Sequence, residues 1–268
     1  MKRTVRKVLR AVANYDPDYY DMHDDANETL FAQLYIERII RHAEAVGIRP
    51  PATVLEAGCQ AGRLVIPLAK QGFQVTGVDT SGFGLRRAQA HARAAGVEAT
   101  FVRGDVVDVL RRQPRQFDLV VCAEVVYLSR NYREMLQALA QAVRPGGLLC
   151  VSHRPKFYYL IEALKQYDIA TAAHVLATGE GSFRDSQYYN WQTPDELRTL
   201  YEQTLGLRWL AMYPIDRLAW LSGISPSKLS DAQREQWLTL ELDSAEEGDA
   251  CARYLLVVAM KPGTDGVA

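Results

Sequence analysis

Three short stretches in the first half of the chain put glycine or a carboxylate where chemistry at a bound molecule would need it. In VLEAGCQAG, Val54 to Gly62, glycines let the backbone approach a ligand closely and adopt conformations that a side chain forbids. The spacing Gly58-x-x-x-Gly62, with Gln60 between, does not meet the Gly-x-Gly-x-x-Gly fingerprint of a nicotinamide dinucleotide site. A second apolar run ends at Asp79, with Thr80 next, twenty-one residues beyond Gly58. A carboxylate there can accept hydrogen bonds from both hydroxyls of a ribose, or it can cap the following helix, a task Thr80 or Ser81 could also fill. A third run is followed by Gly104-Asp105-Val106, where an acid can take an exocyclic amine or again act as a cap. Each stretch alone reads as readily as structure as it does as function. Three in order, on three successive run ends, point to function.

Further candidates lie at the later run ends. The exit Cys122-Ala123-Glu124-Val125-Val126-Tyr127 offers Glu124 and Tyr127, and the fifth run is followed by His153. With His23, these are the side chains able to act as a general base. The stretch NYDPDYYDMHDD, Asn14 to Asp25, carries five carboxylates and one histidine. It has neither the regular ligand spacing nor the turn glycine of a hard-cation loop, so no metal site is expected there. It reads instead as a polar linker or a lid, with Tyr15, Tyr19 or Tyr20 over the ligand. Phe157, Tyr158, Tyr159, Tyr188, Tyr189 and Trp191 form an aromatic group suited either to a core or to a pocket wall.

The elements that must hold these residues alternate. Leu30, Leu34, Ile36, Ile39 and Ile40 recur at helical spacing within 27–46. Strands are then predicted at 53–56, 74–78, 99–102, 117–122 and 148–152. Helices are predicted at 62–71, where Pro67 implies a kink or a short first turn, and at 85–95 and 132–143. This alternation implies a parallel sheet covered on both faces, whose ligands bind at the carboxyl ends of the strands. The stretch 153–204 reads as mostly helical, with a loop at 179–185 and a helix start at Thr193-Pro194-Asp195-Glu196. Two more strands are predicted at 207–213 and 253–260. About forty residues separate them, including a helix capped at Ser230.

Composition limits the function classes. Of 268 residues 48% are apolar and 24% charged, enough for a substantial core. Thirty-one basic residues against thirty-two acidic ones leave no global field for nucleic acid, so such a substrate is not expected. MKRTVRKVLR carries five basic residues but no apolar leader, and no later run reaches membrane-spanning length. Cys59, Cys122, Cys150 and Cys251 show no CxxC pairing and read as reduced thiols of a cytoplasmic protein.

Taken together, VLEAGCQAG, VTGVDTS from Val75, VRGDV from Val102, FDLVVCAEVVYL from Phe117 and VRPGGLLCVS from Val143 resemble a class I S-adenosylmethionine-dependent methyltransferase, over roughly 54–260. The resemblance implies a Rossmann-like α/β fold, doubly wound, with a mostly parallel seven-stranded sheet whose last strand, 253–260, is antiparallel. It implies that Glu56, Gly58, Cys59 and Gly62 wrap the amino-acid part of the cofactor, that Asp79 with Thr80 holds the ribose, and that Asp105 with Val106 holds the adenine. Cys122 would face the cofactor and Tyr19 would pack near its methionine part. Gln60 departs from the family, which usually has glycine at that position. AEVVY lacks the Asn/Asp-Pro-Pro-aromatic motif of nucleic-acid N-methyltransferases and is closer to small-molecule enzymes. The order of pieces after the fifth strand is distantly similar to quinone-biosynthesis O-methyltransferases.

The organisation expected is a lid with helices over 1–50, a methyltransferase domain over 51–262 with helical insertions at about 154–205 and 214–252, and a loose tail at 263–268. The second insertion would either pair two copies into a homodimer or cover the pocket. The function expected is methyl transfer to a small-molecule acceptor at O, N or C. Two alternatives stand beside it. One is methylation of RNA or protein, if Arg86, Arg87, Arg93, Arg111, Arg112 and Arg115 gather on one face. The other is cofactor binding without turnover.

Overall fold

Val- and Leu-rich runs, each ended by Gly, Asp or a charged turn, become strands. Helices fill the intervals between them. In the computed structural model, which describes residues 19–183, 187–244 and 251–263, helix α1 (Ala26–Ala45) leads into β1 (Thr53–Ala57), α2 (Val65–Lys70), β2 (Gln74–Asp79), α3 (Gly82–Ala94), β3 (Thr100–Arg103), α4 (Val106–Arg112), β4 (Phe117–Cys122), α5 (Tyr132–Ala142) and β5 (Val143–His153). After these come α6 (Lys156–Leu164), α7 (Ile169–Ala177), the hairpin β6 (Glu180–Phe183) and β7 (Gln187–Asn190), α8 (Pro194–Thr199), β8 (Arg208–Ile215), α9 (Leu218–Ser222), α10 (Asp231–Asp243) and β9 (Tyr254–Met260).

The main sheet has seven strands in the order β3-β2-β1-β4-β5-β9-β8. The first five are mutually parallel, and β9 runs antiparallel to both β5 and β8. This is the doubly wound fold with a reversed last strand that the family resemblance implied. Strand periodicity splits the core in two. Leu119, Val121, Cys150 and Val258 pack with Leu34, Tyr35 and Ile39 of α1. Val120, Cys122, Leu149 and Val257 pack on the other face with Leu136 and Leu139 of α5. Among the described residues no helix is long and apolar enough to cross a membrane.

Several elements differ from the sequence expectation. Helix α2 starts at Val65, so Pro67 falls in its first turn, where a backbone N–H has no intrahelical partner in any case. Strand β5 begins at Val143, and Pro145-Gly146-Gly147 lies inside it, opposite a register shift on β4. Helix α4 is an additional element, capped by Asp105, whose carboxylate accepts from the Val107 and Asp108 amides at 2.8 and 3.4 Å. The β6–β7 hairpin takes the place of most of the expected loop at 179–185, of which residues 184 and 185 lie outside the described residues, as does Tyr15. Segment 216–243 folds onto α1: Trp237 meets Phe31 edge-on at 6.1 Å, Asn27 bonds to Ser225 and Ser227, and Arg38 donates to the Leu242 carbonyl.

Candidate active site

Five parallel strands bring their carboxyl ends to one edge of the sheet, and the reversed β9 brings its amino end to that same edge. A cavity of about 610 Å³ opens there. Glu56, Gly58, Cys59, Asp79, Thr80, Asp105, Val106, Glu124 and Tyr127 all line it, as do Gln60, Arg63, Arg154, Arg253 and Tyr254.

The half next to β1, β2 and β3 gathers the glycine turn and the carboxylates Glu56, Asp79 and Asp105. Gly58, at φ +81°, passes so close to Val125 that a Cβ would lie 2.2 Å from Cγ2, so a side chain there would displace the wall of the cavity. The Asp79 carboxylate is fixed by two amides, accepting from Gln60 N at 2.9 Å and Ser81 N at 2.7 Å. Glu56 is buried, and its Oε2 has no hydrogen-bond partner. Burial pushes its carboxyl up to about 8, against the opposing pull of Arg63 and of the Val65 amide. A buried, unsatisfied carboxyl beside a glycine turn is the partner an ammonium group requires. Burial also raises the Cys59 thiol, which keeps it protonated.

The half next to β4, β5 and β9 is built on arginine. Arg63 is buried and bridges Glu28 of α1 and Glu124, the latter at 2.8 Å. Burial would raise Glu124, but the Arg63 guanidinium holds it below the usual carboxylate range. Glu28 is raised, by burial and by the Glu124 charge. Glu124 takes a left-handed φ of +62°, and its amide donates to Ser152 Oγ at 2.6 Å. Arg253 pairs with Asp216 at 3.1 Å. The Arg154 guanidinium lies over the rings of Tyr127, Tyr158 and Tyr254, at 4.2, 4.7 and 4.7 Å from their centroids.

Several expected residues stand elsewhere. His153 is buried, is absent from the cavity wall, and bonds through Nε2 to the Tyr201 hydroxyl at 2.9 Å. Burial lowers its pKa to about 3, so it is neutral. Ser152 is turned toward Glu124, and its neighbour His153 therefore lies on the opposite face of β5. This geometry corrects the expectation of His153 as a base. Cys122 is fully buried in the core beneath the site, and Gly62 packs against Ile66 and Ala88, so neither reaches the cavity. Tyr19 is also absent from the cavity wall; its ring packs edge-on against Phe83 at 4.8 Å, and its hydroxyl is buried without a partner. The aromatic group divides. Tyr159, Phe183 and Trp191 form a small separate core, while Tyr158 and Tyr189 stack behind the cavity wall against Arg154 and Tyr127.

Segment 19–25 borders the cavity, to which it contributes Tyr20 and Met22. The Gln60 side chain donates to the Tyr20 carbonyl at 3.0 Å and accepts from the Met22 amide at 3.3 Å. Asp21 is held by Arg87 at 2.7 Å and His91 at 3.1 Å, Asp24 also pairs with Arg87, and the His23 ring lies 4.2 Å from that of His91. Asp21, Asp24 and His91 could offer a cation three ligand atoms within 4.8 Å of one another, but Arg87 already pairs with both carboxylates.

Sequence reasoning missed Arg63, Arg154 and Arg253. Arg63 directly follows the second glycine of the turn, and Arg154 sits one residue past the end of β5, a position that could have flagged it. Arg253 is a site residue only because β9 is reversed.

Residues 54–147 match a family model described as a methyltransferase domain. The ubiquinone biosynthesis O-methyltransferase of Rickettsia canadensis is 27% identical over 55% of this chain and 61% of its own length. That of Yersinia pestis is 35% identical over 35% of this chain and 39% of its own. The chain thus spans less than two thirds of these curated relatives. Among solved structures, magnesium protoporphyrin IX methyltransferase from Synechocystis with bound SAH aligns with a TM-score of 0.60 at 18% identity, covering 97% of this chain and 100% of that one. The 1,6-didemethyltoxoflavin-N1-methyltransferase of Burkholderia thailandensis also aligns at 0.60 and 18%, covering 98% and 91%. Residues 54–147 thus match a methyltransferase domain, and the chain as a whole shares the fold of these solved methyltransferase structures.

Proposed function

We propose that the protein transfers the methyl group of S-adenosylmethionine to a small-molecule acceptor. The observation that carries this reading is a single cavity containing the unsatisfied Glu56 carboxyl, the Gly58 close approach, Asp79 and the Asp105–Val106 turn. Glu56 would meet the ammonium of the cofactor, Asp79 its ribose, and Asp105 with the Val106 amide its adenine. When bound, the cofactor supplies a methyl group already activated on a sulfonium. The chain has then to orient the acceptor and keep water out. Segment 19–25 would act as the lid that excludes water. Glu124, ionised beside Arg63, and Tyr127 are the polar groups next to the acceptor, and Glu124 is the candidate to receive a proton if the acceptor atom carries one.

A small acceptor is supported against nucleic acid by the use already made of the surface arginines: Arg87 pairs with Asp21 and Asp24, and Arg111 pairs with Glu134. Cys59, Cys122 and Cys150 are buried outside any disulfide, which suits a cytoplasmic protein.

The test is calorimetric titration with S-adenosylmethionine and S-adenosylhomocysteine, beside Asp79→Ala. Losing charge-assisted hydrogen bonds worth about 1.5–3 kcal/mol should weaken binding roughly ten- to a hundredfold. Absence of binding to either ligand by the unsubstituted protein would overturn the reading.

A further inference from the structure

Three arginines line the cavity, and two of them have carboxylate partners: Arg63 has Glu28 and Glu124, and Arg253 has Asp216. Among the described residues Arg154 has none. Its contacts include the faces of three tyrosine rings, the nearby Tyr159 and a hydrogen bond donated to the Tyr254 hydroxyl, none of them a carboxylate. Its Nε is buried with no partner at all. A guanidinium carries five N–H donors, and ring faces stabilise its charge without saturating them. Nor can the tyrosines neutralise it: burial holds the Tyr127 and Tyr254 hydroxyls above their usual range, so both rings stay neutral. A desolvated charge is normally paired, and none of the described residues supplies a carboxylate to the half-buried Arg154.

The cofactor half of the cavity is not placed to supply one. Arg154 follows β5, which is separated by the whole of β4 from the glycine turn after β1. Two strand spacings amount to about 10 Å. Arg63, which belongs to the glycine turn itself and acts on Glu56, is the cation nearer the amino-acid end of that ligand.

We infer that the methyl acceptor carries an oxyanion, a carboxylate or a phosphate, and that Arg154, caged by Tyr127, Tyr158 and Tyr254, binds it as a specificity-determining residue. This inference rests on the methyltransferase reading only for the word acceptor; the anion site itself can be measured without turnover.

The experiment titrates benzoate, phenyl phosphate and benzamide into the protein in chloride-poor buffer, with and without saturating S-adenosylhomocysteine, following binding by calorimetry or saturation-transfer NMR. Benzamide matches benzoate in shape and lacks its charge. The expected result is saturable binding of at least one anion, ten-fold or more tighter than benzamide. The tighter anion identifies the class: benzoate a carboxylate, phenyl phosphate a phosphate. Arg154→Gln should abolish the preference while leaving S-adenosylhomocysteine affinity within about twofold, and Arg154→Lys should keep part of it. Equal binding of benzamide and the anions, no saturable anion binding, or a preference that survives Arg154→Gln would overturn the proposal. A loss of S-adenosylhomocysteine affinity in Arg154→Gln would assign the residue to the cofactor and overturn it too. Failure of the unsubstituted protein to bind S-adenosylhomocysteine would instead strike the methyltransferase reading, with the anion preference still read in the ligand-free titration.

Discussion

At the scale of the residue, Glu56 joins chemistry to stability. Its carboxyl moves from an ordinary 4.5 to about 8 in the folded chain. Between those values the folded protein keeps a proton that the unfolded chain has released, so this group makes stability fall as pH rises from about 4.5 to about 8. Replacing Glu56 with Gln should flatten that part of a melting-temperature profile against pH; an unchanged slope would show that another group causes it. Binding adds a second observable. An ammonium brought to Oε2 favours the ionised form, so saturation with S-adenosylhomocysteine near pH 7 should release up to about one proton. Calorimetry in phosphate and Tris, which differ in ionisation enthalpy, reads this directly. The release should vanish in Glu56→Gln, and because Asp216 also titrates near 7, that variant is the necessary comparison.

At the scale of the element, two contacts link segments distant in sequence. Arg63 ties α1 to the turns after β1 and β4 through Glu28 and Glu124. Arg63→Met would leave buried carboxylates without their cation and should cost about 3–5 kcal/mol in urea unfolding, with part of the loss recovered by adding Glu124→Gln. A loss below 1 kcal/mol would mean that these acids readily take up protons. Gln60 ties the glycine turn to segment 19–25. Its φ of +44° lies in the left-handed region that favours glycine, and its two bonds to Tyr20 and Met22 are what the side chain provides in return. Gln60→Gly relieves strain and removes those bonds, effects each of order 1 kcal/mol and opposite in sign. Global stability should therefore change little while amide hydrogen exchange across 19–25 accelerates. Unaltered exchange would show that Arg87 and His91 alone hold the segment.

The strand ends at Glu56, Asp79 and Asp105 were legible in the sequence because a parallel sheet delivers every carboxyl end to one edge. The expectation failed where one residue of phase decides the outcome. Ser152 and His153 are neighbours on β5, and strand alternation sends one toward Glu124 and the other to Tyr201. Nothing in the local sequence marks that phase. Arg253 was illegible for a different reason, since its place at the cavity follows from strand direction, which periodicity does not carry. The β6–β7 hairpin was missed because its strands are four residues each, too short for alternation to register.

At the scale of the whole molecule, β9 lies between β5 and β8, although it follows both in sequence. Six residue pairs join β5 to β9, from Leu148↔Met260 to His153↔Leu255. During synthesis the hydrogen-bonding edge of β5 is therefore complete roughly a hundred residues before its partner exists. At ordinary ribosomal speed that interval is on the order of ten seconds. For that time the nascent chain presents an unpaired apolar strand edge, the kind of surface that templates aggregation and attracts chaperones. The sheet that forms the edge of the candidate site can close only after β9 has left the ribosome.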